Sequence, residues 1–317
     1  MKKIAVLVPC YNEELTVEKV VKDFKRELPQ ADIYVYDNNS TDRTAELALA
    51  AGAIVRYEKK QGKGNVVKSM FRDIDADCYI MVDGDDTYPA DEVHKLIDAV
   101  MNHHADMVIG DRLSNGTYFE ENKRGFHGLG NRLVQGLINR LFSSHLNDIM
   151  TGYRAFSKKF VKCMPVMSEG FQIETEMSIF SLVNGMNIVE LPITYRDRPE
   201  GSESKLNTFK DGFKVLVTLF DLFKNYRPFL FFGVLSFLFI VLGLIVGMPV
   251  LLEFSLTHVI SKLPSAVLAA SLMILAALLL AVGVVVDAIK NQTRTMFEIS
   301  INQFIYHENQ VNGVENE

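Results

Sequence analysis

Short apolar runs alternate with longer amphipathic stretches over the first third of the chain. Ile4–Val8, Ile33–Tyr36 and Ile54–Tyr57 predict strands, with Thr16–Leu28 and Thr41–Ala51 as the helices between them. That βαβαβ order predicts a parallel sheet with helical crossovers. The alternation continues through a helix over Gly64–Ile74, a buried strand over Tyr79–Val82, a helix over Asp91–His103 and a strand over Met107–Ile109. After a polar, aperiodic stretch from Ser114 to Arg124, a helix is predicted near Gly128–Phe142 and a strand over Ile188–Tyr195. A charged loop rich in Ser and Gly follows at Arg196–Asn207.

The pattern then changes. Phe209–Tyr226 sets Phe209, Phe213, Val217 and Phe220 against Lys210, Lys214 and Lys224, which suits a helix lying in a membrane interface; an amphipathic core helix has the same pattern. Phe229–Leu252 and Ser265–Val286 are nearly charge-free, and each is long enough to cross a hydrocarbon layer that needs about 20 residues. Lys210, Lys214, Lys224 and Arg227 precede the first stretch and Lys290 and Arg294 follow the second, with Lys262 between them, so both ends are expected in the cytoplasm. The predicted organisation is a cytoplasmic domain over residues 1–207, an interfacial helix over 208–227, two transmembrane helices within 228–288 (about 229–252 and 265–287) and a cytoplasmic tail over 289–317. The tail's apolar positions, Phe297, Ile301 and Ile305, fit a membrane surface or another subunit equally, which leaves a homo-oligomer open.

Composition narrows the partners. The 317 residues carry a net charge of -6, the wrong sign for neutralising nucleic-acid phosphates, so no nucleic-acid partner is expected. Cys10, Cys78 and Cys163 are odd in number and form no C-x-x-C pair, which points away from a disulfide framework or zinc site and toward a reducing cytoplasm. His94, His103, His104, His127 and His145 show no metal-ligand spacing with the acids. The basic start Met1–Lys3 ahead of Ile4–Val8 imitates a signal peptide, but Pro9, Asn12, Glu13 and Glu14 break the apolar run too early.

The predicted strands end in acids and amides, at Pro9–Glu14, Asp37–Asp42 and Asp83–Asp86, where sheets of this type present loops to ligands. Asp83-Gly84-Asp85 follows the buried strand directly. Hard carboxylate oxygens at that point suit Mg2+ or Mn2+ bridging to a diphosphate, although an isolated D-x-D is also a common surface turn. Lys63, between Gly62 and Gly64 ahead of a helix, suits a close approach to phosphate or a plain loop-to-helix junction. Arg112, Arg124 and Arg132 carry guanidinium forks that match a phosphate headgroup better than a point charge does. Glu174 and Glu176 either line the acceptor side of a site or form a solvated helix face.

Taken in order, Val8-Pro9-Cys10-Tyr11-Asn12-Glu13-Glu14, Asp37-Asn38-Asn39-Ser40-Thr41-Asp42-Arg43-Thr44, Gly62-Lys63-Gly64-Asn65, Asp83-Gly84-Asp85, Gly110-Asp111-Arg112 and Asp148-Ile149-Met150-Thr151-Gly152-Tyr153-Arg154 resemble glycosyltransferase family 2 over roughly Lys3 to Leu206. Gly201-Ser202-Glu203-Ser204-Lys205-Leu206 and the two C-terminal spans make the chain similar to its polyprenyl-phosphate branch. The Q-x-x-R-W motif of the processive synthases is not found.

This resemblance implies a GT-A fold, a Rossmann-like α/β domain with a mostly parallel sheet, followed by the two transmembrane helices. It further implies that Pro9, Tyr11, Asn12, Glu13 and Asp37 border the nucleoside of a nucleotide-sugar. Lys63, Asp83 and Gly84 would contact the donor, Asp83 and Asp85 hold Mg2+ or Mn2+, and Arg112, Arg124, Arg132 and Lys205 meet the acceptor phosphate. Asp83, Asp85 and Arg112 would carry catalysis. The implied activity is inverting transfer of glucose or N-acetylglucosamine from a UDP-sugar to undecaprenyl phosphate, at the cytoplasmic face of the cell membrane. Two rivals stay open: transfer to a glycan or protein hydroxyl, with Asp86 or Asp111 as base, and a non-catalytic membrane subunit that only binds nucleotide-sugar.

Overall fold

The computed structural model of the chain describes residues 2–114, 127–170, 172–199, 220–221, 223–224 and 226–314, with the backbone alone described at 127–134, 307–309 and 311–314. Two compact units emerge, residues 1–213 with 304–317, and residues 214–303. The expected interfacial helix over 208–227 falls mostly outside the described residues.

The first unit is built on strands β1 (Ile4–Cys10), β2 (Asp32–Asp37), β3 (Ile54–Tyr57), β4 (Cys78–Met81), β5 (Met107–Asp111), β6 (Arg154–Ser157) and β7 (Ile188–Pro192). They form one sheet in the order β3-β2-β1-β4-β6-β5-β7. β1 pairs in parallel with β2 and β4, β2 with β3, and β5 with β7, while β6 runs antiparallel between β4 and β5. Every residue of β4 and β5 is buried, as expected for strands covered on both faces.

Helices α1 (Val17–Glu27), α2 (Thr44–Ala50), α3 (Lys63–Asp73) and α4 (Val93–Met101) make the crossovers; α5 (His127–Phe142), α6 (Lys158–Cys163) and α7 (Ile173–Val183) lie further along. α1 shows why such a segment folds as it does. Val17, Val20, Val21 and Phe24 recur at helical spacing and are the residues it buries, against a core that includes Val6, Val8, Ile33 and Val35. Chain order reverses between β1 and β4, and in open α/β sheets the crevice at such a point is where ligands bind. The loops after β1 and β4 meet there.

The second unit contains α8 (Pro228–Thr257) and most of α9 (Leu263–Val314). Both are long and apolar enough to cross a membrane, and only 11% of each apolar window is buried, unlike a core helix of a soluble protein. The stretch read as a separate tail over 289–317 continues α9 as helix to Val314. α8 buries Ser236, Gly243 and Val250, and α9 buries Ala269, Ala276 and Gly283, each set at heptad spacing. Ser236 Oγ donates to Ala276 O at 2.8 Å, and a β-carbon at Gly283 would stand 2.9 Å from Phe232 Cβ. Small residues let the two backbones approach, the packing typical of helices in lipid.

Candidate active site

The loop after β1 is fastened to its neighbours by backbone and side-chain bonds. Asn12 sits at φ +54°, a conformation Asn tolerates better than most residues; its N–H donates to Ser40 Oγ at 2.9 Å and its Oδ1 accepts the Thr41 N–H at 2.8 Å. The Glu13 N–H donates to Thr44 Oγ1 at 2.8 Å. Thr16, at the start of α1, does not cap its own helix; its buried hydroxyl donates to Gly84 O at 2.6 Å. A cap is worth about 1 kcal/mol, so helix stability is given up here to fix the turn after β4.

That turn is crowded. A β-carbon at Gly84 would lie 2.6 Å from Cys10 Sγ and 3.6 Å from Glu13 Cγ, so the glycine is required by the close approach of β1. Asp83 and Asp85 flank it. Lys63 Nζ donates to Asp83 Oδ1 at 2.5 Å, and the other face of that carboxylate rests on Gly152, where no side chain fits. Asp85 is 4% exposed, pairs with the Arg198 guanidinium at 2.5 Å and accepts the Thr87 hydroxyl at 2.7 Å. Burial, together with the neighbouring Asp83 charge, raises the Asp85 pKa despite Arg198 and Thr87. Lys63 also meets Glu174 at 2.5 Å. Burial opposes its charge, but the two carboxylates outweigh burial and raise its pKa.

The Asp148–Arg154 segment supports this turn from β6. Arg154 is fully buried; its Nε donates to Thr151 O at 3.0 Å, its terminal nitrogens donate to Ile149 O at 2.5 Å and Ser178 Oγ at 3.0 Å, and burial lowers its pKa to about 10. The Gly152 N–H donates to the buried Tyr88 hydroxyl at 3.1 Å, whose pKa burial pushes up to about 12. Arg112 grips Asp148 through Nε at 2.7 Å and a terminal nitrogen at 3.1 Å, and its guanidinium lies over the Tyr195 ring.

Of the residues singled out in the sequence, the structure gathers Glu13, Lys63, Asp83, Gly84 and Asp85 at the crevice. Pro9 lies in β1, and Tyr11 is 38% exposed on the loop beyond it. Asp37, buried at the end of β2, accepts the Ser40 N–H and closes a turn. Arg112 stands at the end of β5 in the Asp148 pair. Arg132 falls on α5 with its side chain undescribed, and Arg124 and Lys205 lie outside the described residues. The Arg198–Asp85 pair and the Glu174–Lys63 contact were not legible in the sequence, which marked Arg196–Asn207 only as a charged loop and left Glu174 open between a site and a solvated helix face.

Two carboxylates supply the oxygen chemistry a hard divalent cation takes. Among the described residues no group of three or more His, Cys, Asp or Glu side chains converges on a metal position. A Mg2+ or Mn2+ ion held by one or two carboxylates draws its other ligands from substrate phosphate and water, and the D-G-D turn fits that mode.

The sheet order, with carboxylates at its switch point, is that of a GT-A glycosyltransferase fold. Residues 5–164 match the family model described as Glycosyl transferase family 2, and the chain belongs to that family. It is 35% identical over 263 residues to glycosyltransferase AglJ of Haloferax volcanii, covering 80% of this chain and 84% of that protein. A dolichyl-phosphate hexose transferase of the same organism is 32% identical over 209 residues, covering 66% of this chain and 89% of the relative. In fold the chain is similar to glucosyl-3-phosphoglycerate synthase from Mycobacterium tuberculosis, crystallised with Mn2+, UDP and glucosyl-3-phosphoglycerate. That likeness has a TM-score of 0.53 at 20% identity, over 69% of this chain and 80% of the other.

Proposed function

We propose that this glycosyltransferase moves a hexose or N-acetylhexosamine from a nucleotide-sugar, UDP-glucose or UDP-N-acetylglucosamine, to undecaprenyl phosphate, giving a lipid-linked sugar for cell-envelope glycans. The observation that carries the reading is the D-G-D turn, two carboxylates with Lys63 and Arg198 drawn against them, in a chain that also holds two candidate membrane spans. The spans would tether the catalytic unit where a polyprenyl phosphate resides, with that unit and both termini on the cytoplasmic side by the placement of Lys and Arg. The names of the relatives favour the same acceptor class.

Asp83 and Asp85 would hold Mg2+ or Mn2+, which supplies positive charge to offset the departing nucleoside diphosphate. Pro9, Tyr11, Asn12, Glu13 and Asp37 would border the nucleoside, and Lys63 would face the diphosphate. An acceptor phosphate has a second pKa of about 6, so it is a dianion near neutral pH and needs no strong general base. What the protein must do is bring two anions together in line at the anomeric carbon, with inversion. Arg112, Arg124, Arg132 and Lys205 would provide the charge for that; Arg112 must exchange Asp148 for the phosphate to take part.

The hydroxyl-acceptor alternative needs a free carboxylate base, and its two candidates are engaged elsewhere. Asp86 pairs with Lys19 at 2.6 Å, and Asp111 accepts the Leu113 N–H at 2.8 Å and the Ser114 hydroxyl. Purified full-length protein given labelled nucleotide-sugars should label undecaprenyl phosphate and leave undecaprenol and free glycans unlabelled. Asp85→Ala should fold and lose turnover. Labelled alcohol acceptors, or robust product from Asp85→Ala, would refute the reading.

A further inference from the structure

Glu174 takes no part in the chemistry above, yet it is placed with care. Its carboxylate is almost wholly buried in the first turn of α7, 2.5 Å from Lys63 Nζ, and the same ammonium lies 2.5 Å from Asp83 Oδ1. Lys63 and Glu174 are set by one local structure. Gly62 and Gly64, on either side of Lys63, press against the carbonyls of Glu169 and Ser168 so closely that neither could carry a side chain. That carbonyl segment is clamped in turn by Glu176, which accepts the N–H groups of Met167 and Ser168 at 2.9 and 2.8 Å. The ammonium therefore sits between two carboxylates with little freedom of its stem.

One carboxylate would suffice to neutralise Lys63. A second has a consequence once Asp83 is a cation ligand. A divalent ion approaching Asp83 repels the ammonium already on it, and an ammonium left buried without a partner is strongly disfavoured. With Glu174 present, Lys63 stays paired while Asp83 turns to the metal. We propose that Glu174 is a positioning residue for cation loading: it seats the Lys63 ammonium so that Asp83 can be released to Mg2+ or Mn2+. The proposal rests on the reading of Asp83 as a cation ligand.

The test is the affinity of the full-length protein for Mn2+, read from the electron paramagnetic resonance of free Mn2+ in the presence of UDP, for wild type, Glu174→Gln, Lys63→Gln and the double variant. Partners of this kind contribute about 10–100-fold to metal affinity, and a weakening in that range is expected for Glu174→Gln. Saturating Mn2+ should restore its kcat, which a merely structural defect would not allow. Because Glu174 acts through Lys63, adding Glu174→Gln to Lys63→Gln should change the affinity little. Wild-type affinity in Glu174→Gln, or an equal loss with and without Lys63, overturns the proposal. If Glu174→Gln does not fold, Glu174→Asp, with its carboxylate drawn back from Lys63, carries the same comparison. A wild-type protein that binds no Mn2+ removes the cation reading itself, whereas wild-type binding unaltered by Glu174→Gln removes only the role of Glu174.

Discussion

A β-carbon at Gly152 would overlap the Oδ2 atom of Asp83, so even the smallest side chain must move that carboxylate. Displacements near 1 Å at a reacting centre cost about a hundredfold in rate, and Gly152→Ala should lower kcat by that order while circular dichroism stays unchanged. Unaltered turnover would show that the position of Asp83 is not critical. That the acids of the D-G-D turn lie at the crevice was legible in the sequence from their place directly after a buried strand and from the motifs around them, since an isolated D-x-D is also a common surface turn. Arg112 was harder. A guanidinium near a strand end suggests phosphate, but here its fork is held by Asp148, and the pairing of two distant positions leaves no trace in one sequence. Arg154 reads as a surface charge by type, yet it is fully buried, with backbone carbonyls accepting hydrogen bonds from its guanidinium.

At the scale of elements, the loops leaving β1 and β2 are held together by Asp42. Its carboxylate accepts the N–H and hydroxyl of Thr44, the first residue of α2, at 3.0 and 2.5 Å, and the Glu14 N–H at 3.2 Å. Partial burial works against ionisation, but these donors prevail and hold its pKa below the usual carboxylate range. A carboxyl depressed in the folded state adds stability above its unfolded pKa of about 3.9 and loses it as pH falls through the folded value. Asp42→Asn should therefore unfold at a lower temperature than wild type at pH 7, and the gap should close below about pH 4. A gap independent of pH would assign the effect to hydrogen bonding alone. Strands β1 to β5 announce themselves as apolar runs between helices. β6 does not, because it is four residues long and opens on Arg154, and its antiparallel course is fixed by its neighbours in the sheet.

Across the whole molecule, a charge-free run of residues was enough to mark α8 and α9 as candidate spans, but not the faces they turn to each other. That seam of Ser236, Gly243 and Val250 against Ala269, Ala276 and Gly283 is made, Val250 apart, of small residues, whose place on a shared face a hydropathy profile does not show. The large apolar side chains, such as Phe237, Leu251, Ile274 and Leu278, point outward, as lipid-facing residues do. A family 2 glycosyltransferase unit and a helical unit with two candidate membrane spans stand in one chain, and the lipid-phosphate acceptor proposed above is the substrate class that would use both. The most direct measurement is transfer of labelled sugar from a nucleotide-sugar to undecaprenyl phosphate by the purified full-length protein, with and without a chelator. Product that is lost on chelation and restored by Mn2+ is expected; full transfer in the presence of the chelator would contradict the assignment of Asp83 and Asp85.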